Sequence, residues 1–347
     1  MVPPIIAITE ALRNEHLRQV DQVVKRLIEA YGMLYRKLGA QQAALVAELE
    51  TLAEGGAGKR AYLRRVEALL QQIEAEVGRY AIYADQEIQR AAREAIDLGL
   101  KHAAREVQLS FPQWAQARIM GAFNRLPVAA IEAMLGFLGD QSPLHTSLVD
   151  QFGREVAKRI GDKLVEGIAL GYNPRKVAYA LVREGLGEGL TWSMTTARTA
   201  QLWAYREAQR ASDVANSHIV QGWVWVAAKD QRTCMSCLAM DGTEHRPEEV
   251  LNDHHNGRCA RAVKVITLPG AAPLQYPTGY EWFTGLPEAR QRAQMGSAMY
   301  DAWKAGKFQF KDLSVPYEDK VYGEMLRAAS LKDLLGDAAK EYYRKAA

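Results

Sequence analysis

Cysteine is scarce here: three residues in a chain of 347. An odd, small number excludes a disulfide-built secreted scaffold and points to synthesis in a reducing compartment. Long apolar runs are missing, so no membrane partner is expected. The opening stretch MVPPIIAITEALRNEH has no basic region followed by an apolar core and a small-residue cleavage site, so no leader is expected. Charge of one sign is missing too. The 44 basic and 41 acidic residues leave a net charge of +3, too little by itself to imply nucleic-acid binding. The glycine-rich stretch 185-GLGEG-189 is not followed by the lysine that a phosphate-cradling loop requires. Internal repeats and low-complexity tails are absent as well.

What is present is mostly helical periodicity. Over residues 12–53, Leu17, Val20, Val24, Leu27, Tyr31, Leu34 and Leu38 recur by threes and fours, as in a heptad seam. The block 54-EGGAG-58 interrupts the pattern with three glycines. It resumes with Leu63, Val66, Leu70, Ile73, Val77 and Tyr80. Two long helices around a short glycine turn predict an antiparallel α-hairpin, either a spacer with a solvated outside or a docking surface. Helix is expected on to about residue 216, with breaks at 139-GDQSP-143, 171-GYNP-174 and 185-GLGEG-189. Asn173 can cap the helix that Pro174 begins. On the helix expected from Thr191 to Asn216, Arg198, Arg206 and Arg210 form a candidate basic face.

The pattern changes after Val220. The run 222-GWVWVAA-228 alternates as a strand, with Trp223 and Trp225 on one side, and 262-AVKVI-266 is expected to pair with it. Beyond 269-PGAAP-273, helices are predicted at 286–305 and 317–345. The expected fold is therefore mainly α, in four segments. A coiled-coil-like hairpin covers 1–110 and a helical region 111–216. A small α+β zinc-binding module covers 217–270, and a helical tail 271–347.

Between the two predicted strands lies 230-DQRTCMSCLAMDGTEHRPEEVLNDHHNGRCARAV-263, which holds every cysteine and three of the seven histidines. Cys234 and Cys237 are separated by two residues. Sixteen more lead to His254, and four more to Cys259. Two thiolates on a tight turn and a second pair from a distant loop can complete a tetrahedron. Zinc suits three cysteines and one histidine, and four protein ligands leave no open position for water, so the site would be structural. In a module this small, the metal would supply much of the folding energy. Cys234, Cys237 and Cys259 are the firm candidates, and the fourth is His254, His255 or His245.

Other chemistries are poorer fits. A Cys234–Cys237 redox disulfide would need a thioredoxin-like unit, which the pattern lacks. His254-His255-Asn256 has the look of an HNH-type metal-dependent nuclease, but no histidine or cysteine follows Cys259 to complete a catalytic ion site. A thiol that holds zinc cannot also attack a substrate. Arg258 and Arg261 in the window and Lys264 just past it are candidate phosphate contacts for a DNA-binding role.

The window resembles the phage head morphogenesis proteins, also called minor head or Mu protein F-like proteins. The matching pieces are ART at 197–199, WVW at 223–225, DQRTCMSCLAMDG at 230–242 and HHNGRC at 254–259. On that pattern His254 takes the histidine position, Asn256 the asparagine, Arg258 the arginine and Cys259 the last cysteine, which makes His254 the preferred fourth ligand. The chain departs from the pattern at Gly257, where many members carry a cysteine, at His255, which replaces a proline, and at Ala200, where glutamate is common. Residues 279–313 are similar to the segment that follows in the family, so the resemblance covers about 150–315. It implies a virion component made in the host cytoplasm, not an enzyme. Its implied partners are the portal and the capsid or scaffold proteins, with packaged DNA as a further candidate. Some relatives carry an added toxin or enzyme domain; with the chain ending at Ala347, none is expected.

Overall fold

A computed structural model of the chain describes residues 4–54, 59–139, 142–147, 149, 155–156, 158, 186–267 and 276–346. It is mainly helical, 69% helix, with a small sheet region. The chain divides into two compact units. One comprises Met1–Arg18, Glu94–Met134 and Leu202–Ala347; the other comprises Gln19–Arg93 and Leu135–Gln201.

In the second unit the apolar seam is buried as its spacing dictates. Helix α1 (Pro4–Glu54) buries Val20, Val24, Leu27, Tyr31, Leu34 and Leu38. Helix α2 (Lys59–Leu109) buries Leu69, Ile73, Val77 and Tyr80. Each such side chain contributes roughly 1.5–3 kcal/mol by leaving water. Arg26 pairs with Glu87, Lys37 with Glu76 and Glu48 with Arg65, and Tyr31 meets Tyr80 edge-on. Positions rise on one helix as they fall on the other, so these stretches run antiparallel. Two details depart from the sequence reading. Leu69, rather than Leu70, is the deeply buried residue. From Tyr80 onward the buried stripe of α2 widens to Ala81, Ala84, Ile88, Ala91 and Ala92, as on a globular helix, because small alanines admit backbones on more than one side.

The expected breaks fare unevenly. Residues 55–58, 140–141, 171–174 and 269–273 lie outside the described residues, so the turns read there are not addressed. Leu186–Gly189 is helical, because the next helix runs Leu186–Ala215 instead of starting at Thr191. Breaks that were not anticipated fall at 110–112 and 123–127, on either side of the helix Gln113–Ala122.

The first unit contains the sheet. Strand β1 (Val220–Val226) is central, with β2 (Glu244–His245) on one side and β3 (Ala260–Val265) on the other, all antiparallel. Both faces of β1 are buried. Trp223 and Trp225 pack with Cys237, Leu251 and Cys259, while Val224 and Val226 pack with Ile6 and Ala262. The helix Leu186–Ala215 comes close to α2 within this unit at Gly99, where a Cβ would collide with the Tyr205 carbonyl.

The C-terminal tail is not wholly helical. Residues 317–328, expected in a helix, belong to an antiparallel ribbon of β4 (Ser314–Asp319) and β5 (Gly323–Ala328). Gly323, inside the stretch read as helix, takes φ 75° at the ribbon's turn. The stretch read as one helix over 286–305 is two, Glu288–Met295 and Ser297–Lys304, divided by Gly296 at φ 87°.

Candidate metal centre

Strand register brings the cysteine window together. Val226, the last residue of β1, pairs with Ala260, the first of β3. The loop leaving β1 and the loop entering β3 therefore emerge at the same sheet end, one carrying Cys234 and Cys237, the other Asp253, His254 and Cys259. Cys234 caps the short helix Met235–Met240, and its sulfur accepts the Cys237 N–H at 3.4 Å. In the other loop, Asn256 turns the chain at φ 60°, a conformation asparagine tolerates, and the Gly257 N–H reaches back to the His254 carbonyl at 2.9 Å.

Three donor atoms converge. Cys234 Sγ lies 3.4 Å from Cys237 Sγ and 3.1 Å from His254 Nε2, and Cys237 Sγ lies 3.3 Å from the same nitrogen. Donors on one tetrahedral zinc ion stand about 3.3–3.8 Å apart, given bonds of about 2.0–2.3 Å. His254 Nδ1 lies 2.7 Å from the His255 carbonyl. Donation by Nδ1–H leaves Nε2 with its lone pair toward the sulfurs, the orientation that metal-binding histidines need. Cys259 falls in a second set of donor atoms, with Cys237 and Asp253; Cys237 belongs to both sets. His245 is elsewhere, stacked on Trp223 at 4.2 Å, and His255 bonds to Asp319 on β4 at 2.9 Å.

The mutual hydrogen bond of Cys234 and Cys237 shifts the two thiols in opposite directions. Hydrogen bonding from Cys237 draws the Cys234 thiol down to about 5, against its burial. The same bond, with Cys259 nearby, pushes Cys237 well above the usual thiol range. Burial opposes a charge on His254, but its contacts with Cys234 and Asp253 lift it to about 9.

Behind the donors stands a polar frame that sequence reasoning missed. Arg206 is buried, 7% exposed, and its Nη2 donates to the carbonyls of Gly257 at 2.7 Å and Cys259 at 2.8 Å, with Asp253 Oδ2 at 3.3 Å. Asp230 holds Arg258 through two contacts of 2.6 Å, which keeps its carboxyl well below the usual range. The ribbon braces the same loop: Leu326 N–H donates to the Asn252 carbonyl at 2.8 Å. Asp253 carried one local clue, its place directly before His254. Arg206 carried none, because its partners lie about fifty positions away.

These placements revise the basic residues. Arg206 faces inward, while Arg210 pairs with Glu207 and Arg198 with Asp21, so the expected basic face is not a row of open cations. Arg261, a candidate phosphate contact, is 1% exposed. It lies over Trp223 at 4.3 Å and donates to the carbonyls of Glu249 and Pro247 and to Asp213. A guanidinium so enclosed ties loop to helix and cannot reach a phosphate. Of the other two, Arg258 is engaged by Asp230 and Lys264 by Glu244 at 2.5 Å.

Fold and site define a small Cys/His cluster able to hold a metal ion in a mainly helical chain. Residues 158–262, which span this cluster, match the family model described as phage Mu protein F like protein. The matched stretch is less than half of the chain, and over it the chain is similar to that family. Neither the curated proteins nor the solved structures gave a significant match. Among the described residues, no helix is long and apolar enough to cross a membrane.

Proposed function

We propose that the chain is a minor head protein, a structural component that associates with the portal or inner capsid and assists head assembly or DNA packaging and delivery. The observation that carries this is the family match over 158–262, which includes all three cysteines and His254. The long helices α1 and α2 supply extended surface for lateral docking against other helices. The four-segment organisation read from sequence is our working division of labour: docking at 1–110, connection at 111–216, the metal module at 217–270 and a brace at 271–347.

In the module, Cys234, Cys237 and His254 hold a structural zinc ion, and the fourth position is filled from the side of Cys259 and Asp253. Zinc fits a donor set of thiolates and imidazole, and with four protein ligands it serves as a staple rather than a catalyst. The role is architectural. A DNA-binding role is the weaker reading, since Arg206 and Arg261 are spent inside the protein and Arg258 and Lys264 are already paired.

Immunogold labelling of particles from a strain carrying the gene tests the role. Label at a single vertex, with capture of purified portal by the full chain, is the expected result. Absence from purified heads would refute it.

A further inference from the structure

We infer that the fourth metal ligand is the carboxylate of Asp253, with Cys259 left as a buried thiol beside the ion; this rests on the metal centre proposed above. Asp253 Oδ1 lies 3.3 Å from Cys237 Sγ and 3.6 Å from His254 Nε2. It thus stands at ligand spacing from two of the three converging donors. Cys259 and Asp253 share one set with Cys237; of the two, it is Asp253 whose oxygen also stands near His254 Nε2, at 3.6 Å. The other carboxylate oxygen is already held: Oδ2 takes Arg206 Nη2 at 3.3 Å and the Cys259 N–H at 3.2 Å, while Oδ1 also accepts the His254 N–H at 2.9 Å. A carboxylate whose second oxygen is fixed by a buried guanidinium and a backbone N–H is oriented as a one-oxygen ligand.

Gly257 explains why an aspartate can sit there. A Cβ built on it would overlap the Asp253 carboxylate, 2.0 Å from Oδ2, 2.2 Å from Cγ and 2.6 Å from Oδ1. The room that a side chain at 257 would use is therefore filled by Asp253. The resulting set is two thiolates, one imidazole and one carboxylate, which accepts borderline divalent ions such as zinc and cobalt.

Cobalt and cadmium-113 report the donor set of the full, reduced chain. The wild type is expected to show the charge-transfer intensity of two thiolates. Cys259→Ser should leave that band and the cadmium shift unchanged. Asp253→Cys should add a third thiolate's share of intensity and move the cadmium resonance downfield, which an aspartate that only braces the loop would not produce. A wild-type spectrum with three thiolates, reduced by Cys259→Ser, would overturn this assignment and leave the metal centre intact. No binding of either ion by the wild type would remove the centre itself, and this assignment with it. The wild-type spectrum alone decides if a variant fails to fold.

Discussion

The paired stretches of α1 and α2 and the cysteine module reach order by different physics. In the helical unit, apolar side chains fill a seam and ion pairs such as Arg65–Glu48 lie at the surface, although Glu76 and Asp85 are buried. In the module, charge is inside: Arg206, Asp253, Arg261 and Asp213 are all buried. A seam tolerates loss piece by piece. A buried polar frame does not, because removing one partner strands the other. The lesson is that a small sheet with a short core obtains its rigidity from directional bonds and, on our reading, from an ion.

The largest test of this contrast is metal removal. Chelation, or Cys237→Ser, should unfold the module, since a structural zinc site supplies on the order of 10 kcal/mol. Far-UV circular dichroism should keep its helical signal while near-UV signal from Trp223 and Trp225 is lost. Next comes Arg206→Met, expected to cost about 3–5 kcal/mol in chemical denaturation, because Asp253 is left as an uncompensated buried charge. Leu27→Ala, at a fully buried seam position of α1, should cost about 2–5 kcal/mol and leave metal content unchanged.

A smaller effect sharpens the comparison through pH. Burial raises Glu106 to about 8 from an ordinary 4.5. The folded state then holds a proton that the unfolded state releases, so stability falls as pH rises from about 4.5 to about 8 and levels off above. Glu106→Gln should flatten that slope in thermal melts. The smallest effect is expected at the surface, where Arg26→Ala should change stability by less than about 1 kcal/mol.

Much of this was legible in the sequence. The three-and-four spacing of Val20 to Leu38 marked α1, and the WVW alternation marked β1, because local periodicity decides both. The C-x2-C pair and His254 were legible for the same reason: a tight turn and a short loop fix them. The ribbon 314–328 was not recognised because its strands pair with each other and lean on Asn252, contacts that no local pattern encodes. Arg261 looked like a surface cation, since nothing nearby in sequence announces Trp223 and Asp213. Asp253 was overlooked because its reach to Cys237 depends on the bare backbone at Gly257.

The most direct measurement is the metal content of freshly purified, reduced full-length protein. One zinc per chain, retained through gel filtration, is the predicted result. A folded module with no bound metal would contradict the account.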